Sequence, residues 1–139
     1  MAKCCLLLLL FLLGFLLPEA RATSCHPDDL QALRGFAANL SRGGVLLRTA
    51  WSGATCCGWD GVGCDGATGR VTALRLPGRG LVGPIPGASL ASLVKMEVLD
   101  LSHNQLVGTV PSWISRLDHL CYLDLSNNTL VGEAHAHNK

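Results

Sequence analysis

The distribution of hydrophobic and polar positions divides this chain of 139 residues into three parts. An apolar run occupies residues 6–17, and residues 26–40 then carry apolar side chains at helical spacing. From Val71 onward, leucines alternate with polar residues in a short pattern that returns at a nearly constant interval. The pattern therefore predicts a leader, an amphipathic helix and a repeating structure, in that order.

The N-terminal segment has the features of a secretory signal peptide. Lys3 precedes the apolar run, and Ala20-Arg21-Ala22 supplies the small residues of a cleavage site after Ala22. A membrane anchor is the alternative, but the run of twelve residues is well short of the ~20 that a spanning helix needs. We expect residues 1–22 to be removed and the product to be secreted, with no transmembrane segment after cleavage.

The predicted helix presents one apolar stripe, formed by Leu30, Leu33, Phe36, Ala37 and Leu40. Pro27 suits the first helical turn, where its missing N–H costs nothing. Asp28 and Asp29 are expected to complement the positive end of the helix dipole.

Four cysteines precede the repeats, namely Cys25, Cys56, Cys57 and Cys64. In an oxidising compartment they predict two disulfides, and the economical pairing among the three possible ones is Cys25 with Cys56 and Cys57 with Cys64. Zinc is the alternative, but the spacing lacks a pair of C-x-x-C ligands. Cys121 is left over, either as a free thiol or as a link between two chains.

We predict that residues 23–70 form a stapled cap, a helix and a short hairpin that cover the first edge of the repeats.

The leucine pattern occurs in three copies, whose first core leucines, Leu74, Leu99 and Leu123, are 25 and 24 residues apart. A period in this range around L-x-L-x-x-N-x-L is typical of a leucine-rich repeat. It predicts an α/β solenoid, a short array of about three 24-residue coils over residues 71–133, with the leucines facing inward.

An asparagine follows the core leucines in two copies. Asn104 and Asn128 are expected to use their buried side-chain amides to satisfy backbone groups in the turn. The first copy has Arg79 at this position, so we expect a looser turn there.

The G-x-[IV]-P element at Gly83–Pro86, on a 24-residue repeat behind the cap sequence Cys56–Cys64, resembles plant extracellular leucine-rich-repeat proteins. Within them, the chain is similar to the phytosulfokine receptor group over Cys25–Leu30, Leu74–Leu81 and Val98–Leu106. These are peptide-hormone receptor kinases of the plasma membrane. The resemblance implies a non-catalytic extracellular interaction module, a truncated receptor-like protein with no kinase and no complete hormone site. Its implied partners are receptor ectodomains or other extracellular proteins.

An alternative is a secreted defence protein similar to polygalacturonase inhibitors, which share such caps and repeats but have more repeats and a C-terminal cysteine cap.

A net charge of +1 gives no indication of nucleic-acid binding. The scattered histidines and serines form no catalytic set, so we expect neither an enzyme nor a cofactor nor a metal site. Residues 134–139, which include His135 and His137, are predicted to be a disordered tail.

The candidate sites lie on the solvent-facing positions of the repeated strands, which line the concave side of a solenoid. The expected interaction surface consists of Arg75, Val98, Asp100, Ser102, His103, Tyr122, Asp124 and Ser126. Three strands at ~4.8 Å spacing give a strip only about 10 Å wide, too narrow for an extended peptide. Asn39 and Asn127 begin N-x-[ST] sequons and are candidates for N-glycosylation.

Overall fold

The computed structural model describes residues 24–110 and 112–132. The predicted signal peptide and the predicted tail lie outside these ranges. The helices are α1 Pro27–Ala38, α2 Gly44–Ala50 and α3 Gly87–Ala91, with 3-10 turns at Cys56–Gly58 and Ser112–Arg116. The strands are β1 Val62–Cys64, β2 Val71–Arg75, β3 Val82–Pro84, β4 Val98–Asp100, β5 Gln105–Thr109, β6 Tyr122–Asp124 and β7 Thr129–Val131. Within the described ranges, no helix has the length and apolar character to cross a bilayer.

The strands form two sheets, in the orders β1-β2-β4-β6 and β3-β5-β7. Strands from successive coils pair in parallel, so that Leu74 is opposite Leu99 and Leu99 is opposite Leu123. The predicted solenoid is therefore confirmed. The second sheet was not predicted, because its strands β3 and β7 are three residues long and overlap the turn residues of each repeat.

The inward leucine ladders form the core. The leucines of the first two coils are fully buried, namely Leu74, Leu76, Leu81, Leu99, Leu101 and Leu106. Each buried leucine contributes roughly 1.5–3 kcal/mol by leaving water. Leu123 occupies the same ladder but is 40% exposed, since no further strand of the described residues lies beyond β6.

The cap covers the first edge of both sheets. Strand β1 pairs antiparallel with β2, and Arg42 forms an isolated antiparallel bridge with Val82 of β3. At this bridge Val82 donates its N–H to the carbonyl of Arg42 (3.0 Å), and Ser41 donates to the carbonyl of Val82 (2.9 Å). An uncovered strand edge invites pairing with other chains. The predicted capping role thus extends to a sheet that the sequence did not reveal.

The two disulfides pair as predicted. Cys25 bonds to Cys56, with Cα atoms 5.3 Å apart, and joins the start of α1 to the first 3-10 turn. Cys57 bonds to Cys64 at a Cα separation of 5.4 Å and closes a small loop onto β1. The sulfur atoms of Cys25, Cys56 and Cys57 lie close enough together for a metal site. Because zinc requires free thiolates, the disulfides exclude this alternative.

Helix α1 begins at Pro27 and ends at Ala38, slightly inside the predicted range. Its Asp29 does more than complement the helix dipole, since its side chain is completely buried. The carboxylate accepts hydrogen bonds from Nε (3.1 Å) and Nη2 (3.0 Å) of Arg70 and from the backbone N–H of Val71 (2.8 Å). Asp29 therefore joins the cap helix to the first repeated strand.

Asn104 reaches back into the preceding coil. Its Oδ1 accepts the backbone N–H groups of Arg79 (2.9 Å) and Leu81 (3.1 Å). Its Nδ2 donates to three carbonyls, those of Leu76, Leu101 and Ser102. The expectation of a looser first turn is wrong, because the asparagine of the next coil satisfies the backbone around Arg79.

Candidate interaction surface on the concave sheet

Two aspartates on neighbouring strands have their side chains fixed in the same way. Oδ1 of Asp100 accepts the backbone N–H (3.0 Å) and the hydroxyl (2.6 Å) of Ser102. Asp124 makes the same two bonds with Ser126, at 2.9 and 2.6 Å. Because Asp100 and Asp124 are register partners on β4 and β6, the repeated turn aligns the two carboxylates side by side.

Ser102 is a correction to the predicted surface. Ser102 is only 3% exposed. Its hydroxyl donates to Asp100, and its carbonyl accepts the N–H of Gly78 in the preceding coil (3.0 Å). The equivalent Ser126 is exposed because it belongs to the last described coil. Ser102 therefore fixes the carboxylate of Asp100 without belonging to the exposed surface. The repeat pattern alone did not indicate this difference between the two serines.

Each coil turns through a left-handed residue directly after this serine position. His103 and Asn127 both have φ 56°, and Gly78 of the first coil has φ 62°. A left-handed turn is easiest for glycine and tolerable for asparagine and histidine. The turn places His103 and Asn127 on the surface as neighbours, with Nε2 of His103 and Nδ2 of Asn127 3.4 Å apart.

Arg75 and Val98 complete two rows across the sheet. Arg75 is opposite Asp100, which is opposite Asp124, and Val98 is opposite Tyr122. Arg75 and Val98 are half-buried, whereas Tyr122 is 45% exposed. A charged row and a partly apolar row thus run beside each other over β2, β4 and β6.

Tyr122 and Asp124 are electrostatically linked. The phenol hydroxyl donates to Oδ2 of Asp124 (3.3 Å). The negative charge of Asp124 is the main cause that raises the pKa of Tyr122, followed by desolvation and the charge of Asp100. The hydroxyl of Ser126 is the main cause that lowers the pKa of Asp124. At neutral pH the surface therefore presents a protonated phenol beside an ionised carboxylate.

The two candidate glycosylation sites have different surroundings. Asn39 is exposed at the end of α1, where its Nδ2 donates to the carbonyl of Gly35 (2.7 Å). Asn127 is exposed beside His103 at the border of the concave sheet. Glycosylation at both positions stays a prediction.

Arg79, the residue that replaces the ladder asparagine, connects the first coil to the cap. Its Nη1 lies 2.6 Å from Oδ2 of Asp60. The hydrogen bond and the charge of Arg79, in that order, lower the pKa of Asp60 from its ordinary 3.8. Both side chains are substantially exposed, so the pair contributes little to stability.

Replacing Arg79 by glutamine is expected to raise the pKa of Asp60 towards 3.8. Because the pKa of Asp60 is lower in the folded state, the ion pair stabilises the fold at pH values above the unfolded-state pKa. This stabilisation is lost as the pH falls through the folded-state pKa. The difference between wild type and Arg79→Gln should therefore vanish in acid. Carboxyl-detected NMR titration measures the shift, and the pKa of Asp124, which depends on Ser126, is the control. An unchanged pKa of Asp60 would contradict the assignment.

Comparison with known proteins agrees with this geometry. A family model described as "Leucine rich repeat N-terminal domain" matches residues 26–65, and one described as "Leucine rich repeat" matches residues 71–131. Fold and surface thus define a capped leucine-rich-repeat solenoid. Phytosulfokine receptor 2 of Arabidopsis thaliana is 46% identical over 102 residues, which are 71% of this chain and 10% of that receptor. Because the two family models together match most of the chain, it is a leucine-rich-repeat protein. It spans about a tenth of the length of this curated relative.

Solved structures of plant ectodomains have the same fold. The BIR2 ectodomain from Arabidopsis thaliana superposes with a TM-score of 0.67 at 37% identity, covering 74% of this chain and 56% of that one. The Arabidopsis receptor kinase HAESA, solved with the peptide hormone IDA and the co-receptor SERK1, superposes with a TM-score of 0.56 at 30% identity. The match covers 76% of this chain and 22% of that one.

Proposed function

We propose that this chain is a non-catalytic extracellular interaction module that pairs with the ectodomains of plant receptor-like proteins. The observation that carries the proposal is the concave parallel sheet, whose aligned aspartates and exposed Tyr122 form a continuous polar and aromatic surface. Exposed aromatic residues that reach a polar partner are enriched at protein interfaces. The complex of HAESA with a hormone and a co-receptor supports the same kind of partner.

The size of the surface favours a protein partner over a free peptide hormone. Among the described residues, the parallel strands of this sheet are β2, β4 and β6, so the strip measures about 10 Å across. An interface of standard size buries about 800 Å² on each partner. We therefore propose that the strip provides the central anchors of a larger contact and does not hold a hormone alone.

We further propose that the protein is secreted and carries glycans at Asn39 and Asn127. Both asparagines are exposed, so the folded protein has room for a glycan at each. A glycan at Asn127 lies beside His103 and restricts the approach to that corner, which directs a partner towards Tyr122 and Asp124.

The test is a pairwise binding assay of the secreted protein against a panel of plant receptor ectodomains. We expect Tyr122→Ala to weaken binding by about ten-fold or more, since an aromatic anchor that becomes buried on binding carries a large share of interface energy. Arg116→Ala, an exposed residue outside the concave sheet, is the matched control and should bind as wild type. Equal loss in both variants, or no binding to any ectodomain, would contradict the proposal. Inhibition of a polygalacturonase would favour the defence-protein alternative.

A further inference from the structure

A cleft of about 330 Å³ lies on the cap and shares no residue with the concave sheet. It is lined by Arg34, Ala37, Ala38, Arg48 and Trp51, which come from α1, α2 and the residue that follows α2. Its volume is at the lower end of the range for small-molecule sites, ~300–1,000 Å³. The lining combines an aromatic ring and alanine methyl groups with two guanidinium groups.

Both arginines are held in place by backbone carbonyls. Nη2 of Arg34 donates to the carbonyl of Gly53 (2.8 Å), and Nη1 of Arg48 donates to the carbonyl of Ala37 (3.3 Å). A guanidinium has five N–H donors, so each arginine keeps others for an additional acceptor. Anchoring reduces the side-chain entropy that ligand binding would otherwise cost.

The positive charge of this cleft is not neutralised within the described part of the chain. The ion pairs there are His26–Asp28, Arg70–Asp29 and Arg79–Asp60. Arg34 and Arg48 take part in none of them. Two like charges beside a low-dielectric wall raise the local concentration of anions.

The apolar side of the cleft is rigid. Trp51 is only 4% exposed, and its Nε1 donates to the carbonyl of Asp60 (3.0 Å). Its ring stacks on Trp59, with centroids 5.4 Å apart and planes inclined by 11°. An apolar group that enters the cleft therefore meets a surface whose shape is already fixed.

We propose that this cleft binds a small organic acid, a carboxylate carried on an apolar body about the size of one aromatic ring. The body packs against Ala38 and the small exposed part of Trp51, and the carboxylate is bound by Arg34 and Arg48. Charge-assisted hydrogen bonds from guanidinium to carboxylate are among the strongest available to proteins. This proposal is independent of the protein partner proposed above.

The first test compares phenylacetate with phenylacetamide, which has nearly the same shape and no charge, on the wild-type protein. NMR titration at low ionic strength follows the indole N–H signals of the three tryptophans. We expect phenylacetate to bind saturably below about 20 mM, to shift the Trp51 signal most, and to bind about ten-fold more tightly than phenylacetamide. Equal affinity for the two compounds, or no saturation with phenylacetate, would overturn the proposal.

The second test uses variants. Arg34→Gln and Arg48→Gln should each weaken phenylacetate binding by about five-fold or more. Arg42→Gln removes the same charge from an exposed arginine of the cap that does not line the cleft, and it should bind as wild type. An equal loss in Arg42→Gln would show a non-specific charge effect and overturn the proposal. If either glutamine variant unfolds, Arg34→Lys serves in its place. Lysine keeps the positive charge but lacks the planar set of guanidinium N–H donors, so it should also weaken phenylacetate binding.

Discussion

Alanine at Asn104 is expected to lower the free energy of unfolding by about 3–5 kcal/mol. The side-chain amide is 8% exposed and connects two coils. Its removal leaves two backbone N–H groups and three carbonyls without this partner. A buried polar group without a hydrogen bond costs ~1–3 kcal/mol, and relaxation or water entry recovers part of the total.

Urea denaturation followed by circular dichroism measures this loss. Asn128→Ala is the matched control, since Asn128 has the same role in the next coil but is only half-buried. Its Oδ1 accepts the N–H of Leu106, and its Nδ2 donates to carbonyls of Leu101, Leu125 and Ser126. Water can replace these bonds more easily, so we expect a loss of about 1–2 kcal/mol. Equal losses at both positions would contradict the role assigned to Asn104.

Removal of the Cys25–Cys56 disulfide by a double alanine substitution is the second large effect. The two cysteines are separated by 31 residues, and the entropy of closing a loop of this length corresponds to about 3.7 kcal/mol. The Cys57–Cys64 disulfide spans a separation of only 7 residues, which gives about 2.5 kcal/mol by the same relation. Cys56 is also fully buried, whereas Cys57 and Cys64 are half-buried. Removing the first disulfide therefore also disturbs the core, which widens the difference in stability loss between the two variants.

The two double variants serve as controls for each other. We expect Cys25→Ala/Cys56→Ala to lose at least about 1 kcal/mol more than Cys57→Ala/Cys64→Ala in equilibrium unfolding. The cap covers the first edge of both sheets, so loosening it should also increase amide exchange in β2. A larger loss for the shorter loop would show that α1 is not held mainly by its disulfide.

The fold could be predicted from the sequence wherever a single short-range pattern determines it. The repeated leucines predicted the buried ladders, because their periodicity places equivalent residues of each coil on the same face. Cysteine spacing favoured the observed disulfides, because adjacent Cys56 and Cys57 have to reach different partners. Repetition and adjacency are visible without three-dimensional information.

What the sequence did not reveal depends on contacts between distant residues. The side chain of Asn104 accepts a hydrogen bond from the backbone N–H of Arg79, which is 25 positions away in the sequence. The carboxylate of Asp29 accepts one from the side chain of Arg70, which is 41 positions away. Neither pair follows from the pattern of one repeat. Ser102 and Ser126 occupy the same repeat position, and only their places in the array make one buried and the other exposed.

The cap cleft was missed for a related reason. Arg34 lies on the predicted helix but outside its apolar stripe, where a charged residue normally faces solvent. Only the packing of α2 against α1 brings Arg48 and Trp51 to the same cleft. The residue types alone contained no signal for this site.

Hydrogen–deuterium exchange on the complex with the receptor ectodomain that binds best locates the contact surface. The proposed contact surface is the concave sheet, with Tyr122 and the aligned aspartates. We predict slower amide exchange in Val98–Asp100 and Tyr122–Asp124 on binding, with no change in Ser112–Arg116. Slowing confined to Ser112–Arg116 or to the cap helix, with the concave strands unchanged, would contradict the account.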